Sequence, residues 1–433
     1  MILTYSNKII LAPMVRIGTL PFRLLALRYG ADIVYTEEII DYKMIECKRI
    51  ENKLLDTTDF LLADGTVVFR TCKEEKGKLV FQMGTNNAER ALSVAQMLEK
   101  DIDGIDINMG CPKEFSVKGG MGAALLTQPD KVKQILTGLV QNLSIPVTCK
   151  IRILPQLSDT IELAKLIEAT GVKAIAIHGR TKDERSSSPC HNDYIKAVAD
   201  AVNIPVIANG GSQDIKTYFN IAKFKEETGC SSVMIARSAQ WNPSVFRKEG
   251  ILPLIDVIKE YIKVALIFDA CFTNIKYVLC KMFGNTAGSE LGKRLSASVN
   301  LQDICETFDL EDFRQNLLKE REIRRTELES EPSLKKFKSS NCIVLDVTYN
   351  RKWYPRTLSP LQKVYDYCMR EGLKQPVLKT ETSTDKLFKS EILVDNVLYT
   401  TKLWAKRKKS AEQGAAIAFL HYNGMHDGRI KEE

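Results

Sequence analysis

Two spacings of apolar residues alternate through the first part of the chain. Short β-branched, apolar runs occupy residues 9–14, 33–35, 79–83, 105–109, 147–153, 174–178, 206–208 and 233–236. Between them, apolar residues recur three or four apart at 20–29, 88–100, 131–141, 160–169, 194–201 and 215–228. The first pattern is that of strands buried on both faces, and the second that of helices with one buried stripe. Eight strands alternating with helices over about 240 residues predict an α/β fold of (β/α)8 TIM-barrel type; an open doubly wound sheet has the same local alternation. Residues 60–77 interrupt the period, and 67–71 predict an additional hairpin strand there.

After Trp241 the pattern changes. Residues 253–283 and 301–328 are helical in period, with a Gly-containing stretch between them, and predict a small helical domain. Residues 329–341 are polar and aperiodic, as a linker is. Beyond them, 360–371 is amphipathic, 373–378, 387–395 and 397–404 alternate like strands, and 408–420 is an Ala-rich helix. That α-β-β-β-α order predicts a small α+β domain. The expected division is a barrel at 1–245, a helical domain at 246–328, a linker at 329–344 and the α+β domain at 345–425.

Composition narrows the functional classes. The 433 residues are 44% hydrophobic and 27% charged, as in ordinary globular proteins. No apolar run approaches the roughly 18–20 residues of a membrane helix, so no membrane partner is expected. Residues 1–15 lack the basic start and long apolar core of a secretory signal. The eleven cysteines are scattered without CxxC pairs. This argues against a disulfide framework and against a zinc site, predicts no metal, and fits a reducing, cytoplasmic setting. The net charge of +8 is unevenly spread: residues 331–433 hold 19 Lys/Arg against 12 Asp/Glu. A near-neutral body with a basic tail suggests a catalytic unit joined to a polyanion-binding unit.

In a barrel, reactive groups sit at the C-terminal ends of strands. Those ends carry Ala12-Pro13-Met14-Val15, Gln82-Met83-Gly84, Asn108-Met109-Gly110-Cys111-Pro112-Lys113, Lys150 with Arg152, His178-Gly179-Arg180, Asn209-Gly210-Gly211 and Ala236-Arg237. Glycine-rich turns after the last two strands allow backbone N–H groups to approach a phosphate, so a phosphate-bearing cofactor is expected.

In order and spacing, these segments resemble the tRNA dihydrouridine synthases, a family of flavin-dependent (β/α)8 enzymes. The strongest match is the Asn108–Lys113 hexapeptide followed by Gly119-Gly120-Met121-Gly122-Ala123-Ala124-Leu125-Leu126, and the likeness covers about residues 8–325. The resemblance implies FMN as cofactor, NADPH as reductant and a tRNA uridine as substrate. It also implies roles for individual residues. Cys111 is the general acid that protonates uracil C5 while reduced flavin delivers hydride to C6. Pro13, Met14, Val15, Glu38, Gln82, Lys150, His178, Asn209, Gly210, Gly211, Ala236 and Arg237 face the cofactor. Asn108, Arg152 and Arg180 are candidates for substrate; the two arginines are equally readable as barrel ion-pair residues.

The third domain resembles a double-stranded RNA-binding domain, on the strength of Lys408-Lys409-Ser410-Ala411-Glu412-Gln413-Gly414-Ala415-Ala416 and the element order. Lys406, Lys408 and Lys409 are its expected phosphate contacts. The upstream Arg351-Lys352-Trp353-Tyr354 is a basic-aromatic stretch that could extend the RNA surface. The loop expected between its first two strands, 379–384, departs from the family's usual turn. The three domains together resemble the eukaryotic family members that modify uridine 20 of the tRNA D-loop, and a monomer is expected. Two other readings remain at this point: a flavin oxidoreductase of free pyrimidines or dihydroorotate, and an RNA-binding regulator with an inactive barrel.

Overall fold

A computed structural model describes residues 3–330, 342–355, 359–383, 386–395 and 397–429. The chain divides into two compact units, Met1–Glu322 and Ile323–Glu433, each described by itself.

The first unit is a closed barrel of eight parallel strands: β1 (Ile9–Leu11), β2 (Ile33–Tyr35), β3 (Leu79–Gly84), β4 (Gly104–Met109), β5 (Val147–Arg152), β6 (Ala174–His178), β7 (Val206–Asn209) and β8 (Ser232–Ile235). Each pairs with its sequence neighbours, β8 pairs back to β1, and β2 meets β3 through Val34↔Leu79 and Tyr35↔Val80. Pairing all the way round excludes the open doubly wound sheet. The reason for the apolar runs is now plain. Alternate residues such as Leu11, Ile105, Ile107, Ile151, Ile175 and Ile177 point outward under the helices, while Ile10, Tyr35, Val80, Ala176, Ile207 and Met234 fill the interior. The helices Ala88–Leu98, Pro129–Asn142, Leu157–Glu168, Asn192–Ala201 and Tyr218–Thr228 lie within a few residues of the predicted stretches.

Where one hairpin strand was predicted, the structure has a three-stranded antiparallel sheet of Lys48–Asn52, Thr57–Leu61 and Val67–Cys72. Lys48–Asn52 is an edge strand with four exposed residues in five, so it carries no apolar signal. After the barrel come Leu254–Ile267, Phe272–Phe283, Glu290–Ala297, Leu301–Thr307 and Glu311–Ser330. The first of these helices packs on the helix Leu20–Arg28, where the rings of Phe22 and Tyr261 meet edge-on at 6.1 Å.

The second unit has a four-stranded sheet in the order β9 (Cys342–Leu345), β12 (Val397–Thr401), β11 (Phe388–Val394), β10 (Val377–Thr382). The helices Pro360–Arg370 and Lys408–Tyr422 supply Val364, Cys368, Ala415, Ala416 and Phe419 to its core. Gly414 allows close approach of helix to strand, since a Cβ there would lie 3.1 Å from Thr401 Cγ2. Two expectations are corrected here. The strand β9 lies at the end of the expected linker, of which residues 331–341 fall outside the described residues. The first antiparallel strand begins at Val377 rather than 373, so Lys379–Thr382 are strand and not loop; Thr384 is outside the described residues. One face of β10 is solvated, and a cross-strand hydrogen bond between Thr380 and Ser390 hydroxyls (2.8 Å) holds its polar end in register. Arg351–Trp353 forms a 3-10 turn.

Candidate active site

Strand register arranges the inward side chains in levels. Gln82, Asp106 and Thr148 are neighbours at one level, Asn108 and Lys150 at the next, and Arg152, His178 and Asn209 at the mouth. Gln82 Nε2 donates to Asp106 Oδ2 at 2.8 Å, and Asn108 Nδ2 lies 3.4 Å from Gln82 Oε1. Asn108 Oδ1 accepts from the backbone N–H groups of Gly110 (2.9 Å) and Cys111 (3.0 Å), which bends the chain as it leaves β4. From the other side, Arg152 Nε donates to Gly110 O at 2.8 Å. The loop bearing Cys111 is therefore held at both faces. Gly122, at φ +57°, completes it: a Cβ there would strike Cys111 O at 2.6 Å.

The Cys111 thiol is half-buried. Burial, and then the negative charge of Glu38, raise its pKa above the ordinary thiol value, so it keeps its proton at neutral pH. Glu38 is likewise raised by burial, and its Oε1 has no hydrogen-bond partner. Facing this acid side is a cationic wall. Burial, reinforced by the nearby Arg152, lowers Lys150 to about 8. Among the described residues, neither the Lys150 ammonium nor the Arg237 guanidinium has a hydrogen-bond or ion-pair partner.

Arg152 and Arg180 are not ion-pair residues. Arg152 binds the carbonyls of Gly110 and Thr181, and Arg180 those of Ser188 and Gly210, with no carboxylate on either among the described residues. Burial and the charges of Lys150, Arg152, Arg180 and Arg237 push His178 far below the usual imidazole pKa, so it is neutral. Arg180 Nη1 lies 3.3 Å from His178 Nε2. A guanidinium only donates, so Nε2 accepts and Nδ1 carries the proton.

Gly210, at φ +129°, has no room for a side chain: a Cβ would come within 2.6 Å of Cys190 Sγ and 3.2 Å of His178 Cδ2. Asn209 uses its amide to bridge to Met234 O (2.8 Å). Ala236 and Arg237 stand at the start of the helix Arg237–Trp241. Pro13, Met14 and Val15 lie on the turn after β1; Val15 is exposed, and Met14 O caps the turn by accepting from Ile17 and Gly18. Sequence reasoning missed Asp106 and Thr148. The available signal was a charged residue at an inward position of an otherwise apolar strand.

Residues 10–331 match the dihydrouridine synthase family. The chain belongs to that family. Two curated relatives are similar: the tRNA-dihydrouridine(20) synthase [NAD(P)+] of Schizosaccharomyces pombe, 37% identical over 72% of this chain and 66% of that protein, and its namesake in Saccharomyces cerevisiae, 38% identical over 64% and 78%. The chain thus spans about two thirds of the fission-yeast relative. A crystal structure of a point mutant of the human tRNA-dihydrouridine(20) synthase dsRBD is 38% identical over 21% of this chain and 97% of that one, with a TM-score of 0.21.

In this family member the second unit brings several basic residues together. Arg351, Lys406 and Arg407 line a groove with Tyr349, Trp353 and Trp404. Lys406, Lys408 and Lys409 are exposed around the start of the helix Lys408–Tyr422. Arg351 is braced on Tyr354 O and Pro355 O, both at 2.9 Å. The side chain of Lys352 lies outside the described residues. Asp427 ties the segment down: Tyr354 Oη donates to it at 2.8 Å, as does Arg429 Nε, and Arg429 in turn lies over the Trp353 ring.

Proposed function

We propose that this chain is a tRNA-dihydrouridine synthase that reduces the C5–C6 bond of uridine 20 in the tRNA D-loop, with FMN in the barrel mouth and NAD(P)H as the source of electrons. The observation that carries the reading is the clamped loop bearing Cys111, whose thiol pKa burial raises, within electrostatic reach of the unpartnered Lys150 ammonium.

The residues present fit an FMN. An unpartnered buried cation, an unpartnered cationic guanidinium at Arg237 and a glycine turn with no space for a Cβ suit a ring system with one terminal phosphate. When bound, that cofactor supplies the hydride that no side chain can. Lys150 and Gln82 would hold its ring, and His178, Gly210, Gly211 and Arg237 its phosphate side. The Cys111 Sγ–H delivers the proton to C5, and solvent returns it afterwards. Asn108, by holding the Gly110 and Cys111 N–H groups, would set the thiol beside the uracil. Arg152 and Arg180 would draw the phosphodiester of a uridine turned out of its loop into the mouth. Pro13, Met14 and Val15 border the same opening.

We assign the barrel (1–245) and helical (246–328) segments to catalysis and the 345–425 segment to tRNA binding through Arg351, Lys352, Lys406, Lys408 and Lys409, in a monomer. Among the described residues no helix is long and apolar enough to cross a membrane. We place the chain in a reducing, cytoplasmic setting, on the strength of its eleven free cysteines. The test is turnover of tRNA bearing an unmodified uridine 20 by the purified chain with NADPH. Formation of dihydrouridine at that position is expected. Reduction of free uracil or orotate with no effect on tRNA would sink the proposal.

A further inference from the structure

Asp106 is fully buried, has no cation in hydrogen-bonding contact among the described residues, and belongs to none of the groups assigned above. A charge in the middle of a barrel is costly, so its hydrogen bonds are informative. Thr148 Oγ1 donates to Asp106 Oδ1 at 2.7 Å, Tyr35 Oη lies 3.4 Å behind Thr148, and Gln82 Nε2 donates to Oδ2 at 2.8 Å. Burial raises the carboxyl to about 6, which leaves it ionised at neutral pH and therefore only an acceptor.

This decides two amide orientations that side-chain shape alone leaves open. An acceptor-only carboxylate requires the nitrogen of Gln82, so Gln82 Oε1 faces away from it. At the far end, the N–H groups of Gly110 and Cys111 require the oxygen of Asn108, so Asn108 turns its nitrogen toward Gln82. The 3.4 Å pair between them is then N–H toward O, consistent from both ends. One acceptor lone pair on Gln82 and one N–H on Asn108 remain for a bound ring.

We propose that Asp106 is a positioning residue for the cofactor: by holding the Gln82 carboxamide in one orientation, it makes the site offer an acceptor beside a donor, the complement of an imide N–H and its neighbouring carbonyl. The isoalloxazine ring has such an edge, so the inference rests on the flavin reading above. The orientation depends on charge at Asp106 and not merely on shape. In Asp106→Asn, Thr148 continues to donate to the oxygen, the new amide donates to Gln82 Oε1, and the carboxamide turns its N–H groups toward the ring N–H.

The experiment is FMN titration of the cofactor-stripped full-length chain, followed by flavin fluorescence and by the visible spectrum of the bound flavin. Asp106→Asn should bind FMN roughly tenfold or more weakly, with a shifted spectrum, while circular dichroism stays as in the wild type. Gln82→Glu alone places two carboxylates side by side and should also weaken binding. Combining Asp106→Asn with Gln82→Glu restores an acceptor toward the ring and a donor at position 106 beside it, so affinity and spectrum should return toward wild type, which loss of packing would not produce. Wild-type affinity and spectrum in Asp106→Asn, or a double variant weaker than both single ones, overturns the inference. Should Asp106→Asn fail to fold, the double variant still decides: it binds FMN better than Gln82→Glu alone, or the inference falls. A wild-type chain that takes up no FMN removes the flavin reading first, and that result is read before any variant.

Discussion

Arg152 Nε donates to the carbonyl of Gly110 at 2.8 Å, one residue before Cys111. A side chain on β5 thus sets the position of a loop leaving β4. Arg152→Ala removes that bond and leaves the thiol in place on a looser loop. A misplacement of about 1 Å at a reacting group can cost roughly 10²-fold. We expect a fall of that order in dihydrouridine formation with FMN content unchanged; a loss of bound flavin instead would show that Arg152 serves the cofactor.

Cys111→Ala should retain flavin absorbance and lose about 10²–10⁴ in rate, the usual worth of a general acid. The pH dependence has a definite sign. The thiol works in its protonated form, and its pKa lies above the ordinary thiol value. The rate of uridine reduction should therefore hold through neutral pH and decline only on the alkaline side, above about 8.5. Single-turnover rates against pH check this, and the residual rate of Cys111→Ala should lack that decline.

Lys150 predicts opposite effects on stability and function. Its folded pKa, about 8, is below the ordinary lysine value. Between the two, the unfolded chain binds more protons, so cofactor-free stability rises with pH across that window, and at neutral pH the buried cation is destabilising. Lys150→Met should raise the melting temperature of the cofactor-free protein at neutral pH and abolish that rise. It should weaken FMN binding by roughly tenfold to a hundredfold, as expected for a lost charge-assisted contact. Calorimetry of the stripped protein and flavin titration read the two effects separately.

The basic end of the second unit predicts a salt effect. Lys408→Ala with Lys409→Ala removes two exposed cations, and each lost phosphate contact should reduce the log–log salt slope of tRNA binding by about one unit. Filter binding across a salt series measures it. Identical slopes for wild type and variant would show that these lysines are solvated and make no phosphate contact.

Acid should loosen the segment that carries Arg351. Tyr354 and Arg429 hold the carboxyl of Asp427 below its ordinary pKa, against burial. The stability it contributes is complete above about pH 4 and is lost as pH falls through the lower folded value. Tryptophan fluorescence should report early release of Trp353 on acidification, and Asp427→Asn should show that released signal already at neutral pH.

The sequence by itself determined the eight strands, the helices between them, and the short runs around Cys111, Lys150, His178 and Gly210. Those are local matters: a period of apolar residues, or a tight turn that only glycine permits. It also located the Ala-rich helix of the second unit. It did not show the polar edge strand Lys48–Asn52, because a strand with its residues in water carries no apolar signal; nor did it show that Cys342–Leu345, apolar throughout, pairs in parallel with Val397–Thr401, because a partner that far along the chain is not a local property. Nor did it separate ion pairing from substrate contact for Arg152 and Arg180. Closure of the barrel removed the ion-pair reading alone, by bringing backbone carbonyls and, among the described residues, no carboxylate to both guanidinium groups. Closure likewise set Asp106 beside Gln82 from another strand. Which way an amide points depends on a partner 24 residues away in the chain, and a hydrogen bond of that kind exists only once the strands are in register.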